Sequence, residues 1–351
     1  LMNVSRNISY IGRKEVFMGR AKFGVFGDGK ELPQIAMSKF FRNGDFRSGY
    51  YRDQTFMMSI NQLTPDQFFA QLYAHTDIKK DPHSGGRQMN CHFGTRLLNE
   101  NGDWKTQTDM MNSVSDISCV SGQMPRIVGL AYASKLYRNN KNLSDMENFS
   151  INGNEVVFGT IGDASTSEGH FWEAINACGV LQVPLIMSIW DDGYGISVPS
   201  EYHTTRNDLS KALSGFQRSS KKENGYEIFT VHAWDYINLL KTYQKAEKLA
   251  REDHVPCIIH VKDVTQPQGH TTSGSHERYK SKERLNWEKD FCCIKRMREW
   301  IIENNFASNS EIDIIEKNAE EIAKKSRDRS WKSYRDDIKL SLIHISEPTR
   351  R

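Results

Sequence analysis

Two strand–helix–strand units in succession constrain this chain more than any other feature of its 351 residues. Residues 155–161 (EVVFGTI) form a short apolar run of the kind that makes a buried strand. Phe171, Ala174, Ile175, Cys178 and Leu181 then fall on one helical face. Ser165 and Glu168 have the spacing of a capping box, so the helix is expected to begin near Thr166. Residues 184–190 give the next strand. A second unit follows, with strand 226–232, helix 235–251 and strand 256–262. Strands alternating with helices predict an α/β fold with a doubly wound parallel sheet.

The remaining signals are weaker. Residues 1–30 carry no clear pattern and are set apart as an N-terminal segment. The α/β domain is taken as 31–282. Within it Thr64 is the expected N-cap of an amphipathic helix over 65–73, with Pro65 at the first position. Pro125 opens a helix through about Arg138. Residues 82–125 are rich in Gly, Ser, Asn and Asp, and read as a long functional loop. Residues 283–339 are helical and heavily charged, expected mostly as a solvated surface. Residues 340–351 (LSLIHISEPTRR) break that pattern and resemble a translated sequencing adapter, so they are set apart as a non-native tail.

Composition excludes several classes. A net charge of +3 is too small to argue for nucleic acid or an anionic membrane as partner. The longest apolar stretch, 183–190, is far short of a membrane span. The first residues lack the apolar core of a signal peptide. Six cysteines without a CxxC pair suit the reduced thiols of a cytoplasmic protein. His254, Cys257 and His260 could suggest zinc, but they fall in or beside a strand-like run, so no zinc site is expected.

Asp163 follows the first strand and Asp192 the second, spaced by about the ~30 residues of a β-α-β crossover. Such crossovers are right-handed and put successive strands parallel, about 4.8 Å apart if neighbours. Both aspartates then emerge at the carboxyl edge, where open α/β sheets bind ligands. Hard oxygen donors there suit Mg²⁺, which fills its octahedron with phosphate oxygens and water. A helix N-terminus nearby favours an anion. A metal-bound diphosphate satisfies both features. The same residues also suit a helix cap at Asp163 and a turn at Asp192-Gly193, and the two carboxylates alone do not choose.

The stretch GDASTSEGHFWEAINACGVLQVPLIMSIWDDGYGISVP resembles the thiamine-diphosphate signature of 2-oxo acid dehydrogenase alpha subunits. That signature opens with Gly-Asp-Gly and closes about thirty residues later with Asn-Asn-x-Tyr. The resemblance covers about residues 20–300, with further motifs in order, and is closest to branched-chain members in GGRQMNCHFG. It implies that Asp163, Asp192 and the Tyr194 carbonyl hold Mg²⁺, with Gly162, Ala164 and Ser165 beside the thiamine diphosphate. FRSGYYRDQ implies that Tyr51 and Arg52 approach the cofactor, Arg52 pairing its fork with diphosphate oxygens. SDISCVSGQMPRIVG implies that Ser118 and Val120 contact the aminopyrimidine, Val120 as a wedge that bends the cofactor, with core packing as its other reading. TQPQGHTTSG implies a loop near the diphosphate and an incoming lipoyl arm, with His270 as phosphate donor or catalytic proton-transfer group.

Departures from the family pattern are equally specific. Ala164 replaces the usual second Gly, and Asp192 replaces the usual Asn. Trp190 stands where relatives often carry an arginine, and Gln266 stands near another basic position. The cofactor's charge is therefore expected to be under-neutralised, and Asp192→Asn to be tolerated or to tighten binding. The resemblance further implies a small 2-oxo acid substrate, a lipoyl-bearing acyltransferase component, and a beta-type subunit or fused beta half. That beta part supplies the glutamate at the pyrimidine ring, for which this chain offers no candidate. Two rival readings are transketolase-like transfer of a two-carbon unit and a non-catalytic binding subunit.

Overall fold

The computed structural model describes the backbone of residues 1–346 and the side chains of residues 1–341. Residues 347–351, the end of the segment set apart as a tail, lie outside the described residues; α-helix continues through Ser346.

Eight strands occur in chain order: β1 Phe46–Ser48, β2 Asn112–Ser113, β3 Val157–Gly162, β4 Leu185–Trp190, β5 Tyr194–Gly195, β6 Val198–Pro199, β7 Glu227–His232 and β8 Cys257–Lys262. Six of them form one sheet in the order β2-β1-β3-β4-β8-β7, with every pair parallel. This is the α/β class expected from the alternating pattern. β5 and β6 make a small antiparallel hairpin after the central strands. Every residue of β4 is buried, as its mainly apolar run demands of a strand covered on both faces, with Ser188 Oγ paired to Tyr243. β7 lies at the sheet edge and is only partly buried.

Eleven α-helices surround the sheet: α1 Met2–Phe17, α2 Glu31–Ser38, α3 Gln54–Ser59, α4 Pro65–Leu72, α5 Met124–Asn139, α6 Gly169–Leu181, α7 Leu209–Ala212, α8 Tyr236–Asp253, α9 Lys282–Asp290, α10 Cys293–Glu303 and α11 Asn309–Ser346. Successive strand residues face opposite ways, so each strand feeds two cores. Phe158, Ile186, Trp190 and Ile259 join Phe41, Phe56 and Tyr243 on one face. Val157, Ile161, Leu185, Met187 and Ile258 join Ile127, Phe171 and Ile175 on the other. Thr64 caps α4, with Gln67 completing the box and Pro65 at the first position.

Two expectations need correction. Ser165 and Glu168 do not form a capping box. Ala164–Ser167 is a 3-10 turn closed by Thr166 Oγ1 donating to Asp163 O at 2.6 Å, and α6 starts only at Gly169. The segment 1–30 is not patternless: α1 packs against α4 and α11. The charged C-terminal helices are mostly surface, as expected, but carry a buried stripe as well. Ala323 of α11 is in the core, and Trp331 and Tyr334 pack on Tyr73. Among the described residues no three His, Cys, Asp or Glu side chains converge as a metal would require, and no helix is long and apolar enough to cross a membrane.

Candidate cofactor site

The register of β3 and β4 ends with Gly162 opposite Trp190, so Asp163 and Asp191 leave the sheet together at its carboxyl edge. Asp191 is pinned there on two sides. Its amide donates to Val261 O at 2.9 Å, and its Oδ2 accepts from His260 Nε2 at 2.7 Å. His260 belongs to β8, so the candidate zinc residue is spent on orienting this turn. Gly193, at φ +78°, then reverses the chain, and the Tyr194 amide donates to Asp192 Oδ1 at 3.2 Å.

Asp163 is buried, and its Oδ2 has no hydrogen-bond partner; His203 Nε2 lies 4.0 Å away, likewise without one. Burial, and then the proximity of Asp192 and Asp191, push the Asp163 carboxyl well above the usual carboxylate range. A buried carboxylate oxygen left open beside a second aspartate is a costly arrangement unless a cation completes it. The two aspartates fit a divalent ion that takes its remaining ligands from phosphate and water.

Asp192 is compensated by a residue the sequence motifs do not include. Lys30 Nζ lies 3.4 Å from Asp192 Oδ2 and donates to Gln266 Oε1 at 2.6 Å, with all three side chains buried. Burial raises the Asp192 carboxyl, but His270, Lys30 and Lys280 outweigh it and hold it below the usual range. Lys30 thus offsets the extra charge that Asp192 brings, from a segment far away in the chain. Trp190 itself is fully buried in the core. Lys30 reaches the site because the Gly27-Asp28-Gly29 loop passes between two backbones. A Cβ on Gly27 would come 2.1 Å from Arg52 O, and one on Gly29, at φ +92°, 1.8 Å from Thr265 O. Two glycines around an aspartate, followed by Lys-Glu, were the available signal.

Arg52 does not point its fork at open solvent. Nη1 donates to Phe26 O at 2.6 Å and Nη2 to His270 O at 2.8 Å, so in this structure Arg52 fastens the His270 loop. Two of its N–H groups are taken within the chain, and Arg52 still lines the cavity. His270 Nε2 stands 3.4 Å from Asp192 Oδ1, and its buried Nδ1 has no partner. Ser118 Oγ pairs with His92 Nε2 at 2.9 Å, and Tyr51 stacks on His92 with ring centroids 5.9 Å apart. Val120 is 43% exposed, which removes core packing as its role; its carbonyl accepts from His170. Ala164 faces Gly195, where a Cβ would lie 2.8 Å from its own, so the extra methyl at 164 is matched by a glycine opposite.

Tyr51, Arg52, Ser118, Val120, Gly162, Asp163, Ala164, Ser165, Asp192, Tyr194 and His270 all line one cavity of about 410 Å³. Tyr50 and His92 line it too, unforeseen as site residues although both sit inside motifs already singled out. The start of α6 does not line it, so the anion-favouring helix terminus expected near Thr166 is displaced from the site. Asp163 and Asp192 are the only acids on its wall among the described residues.

The chain belongs to the dehydrogenase E1 component family, whose model matches residues 1–334. It is 25% identical over 305 residues to the human mitochondrial 2-oxoisovalerate dehydrogenase subunit alpha, covering 86% of this chain and 58% of that protein. It is 26% identical over 242 residues to the 2-oxoisovalerate dehydrogenase subunit alpha of Bacillus subtilis, covering 69% and 62%. It is 27% identical over 208 residues to the pyruvate dehydrogenase E1 component subunit alpha of Rickettsia bellii, covering 59% and 56%. The chain thus spans less than two thirds of the length of each of these relatives.

Proposed function

We propose that this chain is the alpha part of a 2-oxo acid dehydrogenase and holds the Mg²⁺-diphosphate end of thiamine diphosphate. The observation that carries the reading is the open, buried Asp163 Oδ2 beside Asp192 at one sheet edge. Asp163, Asp192 and the Tyr194 carbonyl would hold Mg²⁺, and the cavity wall formed by Gly162, Ala164 and Ser165 would flank the diphosphate. Ser118 and Val120 would meet the pyrimidine, with Tyr51 and His92 beside them. Arg52 keeps the His270 loop over the cavity, where His270 can give a hydrogen bond to phosphate or move a proton at Nε2. When bound, thiamine diphosphate supplies the carbanion that attacks the 2-oxo acid and the ring that takes up electrons as CO₂ leaves.

The carboxylate needed at the pyrimidine is absent from the described wall, which favours a beta-type subunit or fused beta half over self-sufficient transketolase-like catalysis. Phe23, Met89, Val120 and Ile196 line the cavity yet are 37–61% exposed, an apolar rim suited to cover by such a partner. A lipoyl-bearing acyltransferase and a small 2-oxo acid complete the reading. The test is titration of thiamine diphosphate with and without Mg²⁺ into the assembled enzyme and its Asp163→Ala variant. Mg²⁺-dependent binding should vanish in the variant; binding equal to the parent overturns the assignment.

A further inference from the structure

Arg47 is a charged residue in the middle of a buried strand. It sits at the centre of β1, beside Ser113 of β2 and Phe158 of β3, and is fully buried. A guanidinium there is costly unless its donors are taken up. Nε donates to Asp53 Oδ2 at 2.8 Å and Nη1 to Ser113 Oγ at 2.9 Å. Nη2 donates to Tyr50 O at 3.0 Å and to Asp116 Oδ2 at 2.9 Å. Gly49 leaves the room for this: a Cβ there would lie 2.0 Å from Asp53 Oδ2 and 2.6 Å from Arg47 Nε. One cation thus serves two buried carboxylates, and Oδ1 of each is without a partner.

The partners of Arg47 are the roots of three segments that reach the cofactor cavity. Tyr50 begins the turn that carries Tyr51 and Arg52. Asp116 Oδ2 also accepts from the Phe93 amide at 2.9 Å, and the Asp116 amide donates to Phe93 O at 2.8 Å. The guanidinium lies over the Phe93 ring, 5.8 Å from its centroid. His92 precedes Phe93, Ser118 follows shortly after Asp116, and these two side chains are joined at 2.9 Å. Tyr51, His92, Ser118 and Val120 line the cavity, whereas Arg47 and Asp116 stand behind its wall. The metal side of the same cavity rests on other supports. Asp163 and Asp192 follow β3 and β4, and Lys30 and His260 hold the turn at Asp191-Asp192.

We propose that Arg47 and Asp116 are positioning residues that set the pyrimidine side of the cavity, separately from its metal side. The inference deepens the cofactor reading above and rests on it. The Asp116 carboxylate is the joint: it ties the His92-Phe93 and Ser118–Val120 segments to β1 through Arg47. Without it the backbone bond from residue 116 to Phe93 remains, but neither segment is tied to Arg47. Walls that meet a flat ring must be held to a fraction of an ångström by the side chains behind them.

Asp116→Ala is the first variant, because it leaves Arg47 and Asp53 as a one-to-one pair, whereas removing Arg47 would leave two carboxylates buried together. Thiamine diphosphate and inorganic pyrophosphate are each titrated calorimetrically, with and without Mg²⁺, into the assembled enzyme. Asp116→Ala should raise the dissociation constant of thiamine diphosphate at least about tenfold and leave that of pyrophosphate within about twofold. Arg47→Lys keeps the buried charge but loses the fork, so it should give the same split. Asp116→Asn, whose carbonyl can take both the Arg47 and the Phe93 donors, should bind thiamine diphosphate within about threefold of the parent. Equal losses for both probes, parent-like binding by Asp116→Ala or Arg47→Lys, or no recovery in Asp116→Asn would each overturn the proposal and leave the cofactor reading standing. A parent whose binding of either probe is indifferent to Mg²⁺ would overturn the cofactor reading itself, and the inference with it.

Discussion

Lys30 Nζ and Asp192 Oδ2 face each other at 3.4 Å in a buried site, although 162 residues separate them in the chain. The pair changes what a substitution at Asp192 should do. Read from sequence, Asp192→Asn removes an unwelcome negative charge. In the structure it leaves the buried Lys30 ammonium with Gln266 as its remaining side-chain partner. Breaking a buried pair by removing one member costs about 3–5 kcal/mol, and the uncharged Gln266 oxygen offsets only part of that. Asp192→Asn should therefore lower the unfolding free energy, and Lys30→Met combined with it should recover most of the loss. Urea unfolding of both single variants and the double variant gives the coupling; additive effects would show that the two side chains do not interact.

Asp163 leads to the opposite expectation. Its carboxylate is buried with an open oxygen, which costs about 1–3 kcal/mol or more for a charged group. Without Mg²⁺, Asp163→Asn should raise stability by roughly 1–2 kcal/mol, since a neutral amide is easier to bury. With Mg²⁺ and thiamine diphosphate the parent should gain stability and the variant should not, because only the parent binds the pair tightly. Thermal melts under both conditions separate the outcomes; a variant stabilised by cofactor as strongly as the parent would remove Asp163 from the metal site.

What the sequence revealed and what it concealed follow from locality. β3, β4 and β8 are predominantly apolar runs, and the turns carrying Asp163 and Asp192 follow β3 and β4, so the edge was legible from short windows. Lys30 and His203 reach the site through tertiary folding, and only the Gly27-Asp28-Gly29 turn before Lys30 left a local signal. α1 was invisible for a different reason. Its buried face is largely polar, with Ser5, Arg6, Ser9 and Glu15, and these are satisfied by Thr55, Gln54, Glu31 and Tyr73 rather than by apolar packing. Apolar periodicity has nothing to register there. The false capping box shows the converse: the spacing was right, but Thr166 closed a tighter turn first.

His254 gives a pH dependence away from the site. It ends α8 in the left-handed region at φ +52°, and its Nε2 pairs with Gly153 O at 2.9 Å. Burial lowers its pKa to about 4, against the pull of that carbonyl. Between about pH 6.5 and 4 the unfolded chain binds the proton more readily than the folded one. This group's contribution therefore falls as the pH drops through that window and is constant above it. Asn tolerates the left-handed conformation, so His254→Asn should keep the helix end and remove the slope. Urea midpoints at pH 7.5 and 5.0 measure it; an unchanged difference between parent and variant would show that His254 titrates normally.

The last prediction concerns activity. In the reading proposed above, Asp163, Asp192 and Tyr194 hold the metal end of the cofactor and His270 moves a proton; all four line the cavity. Its wall includes no glutamate, and its two aspartates are assigned to the metal, so no carboxylate described on it is left to exchange a proton with a pyrimidine nitrogen. A carbanion formed without that relay would arise too slowly to support turnover, however well the diphosphate is held. The exposed apolar rim of Met89, Val120 and Ile196 implies that another surface normally closes the cavity and brings the missing carboxylate with it. Decarboxylation of pyruvate and of branched 2-oxo acids should therefore be undetectable with the chain alone, even at saturating thiamine diphosphate and Mg²⁺. Adding a beta-type subunit should restore it, and an Ile196→Asp variant should need far more of that partner for the same rate. Full turnover by a verified monomer or homodimer of this chain would defeat the two-component reading and favour self-sufficient, transketolase-like catalysis.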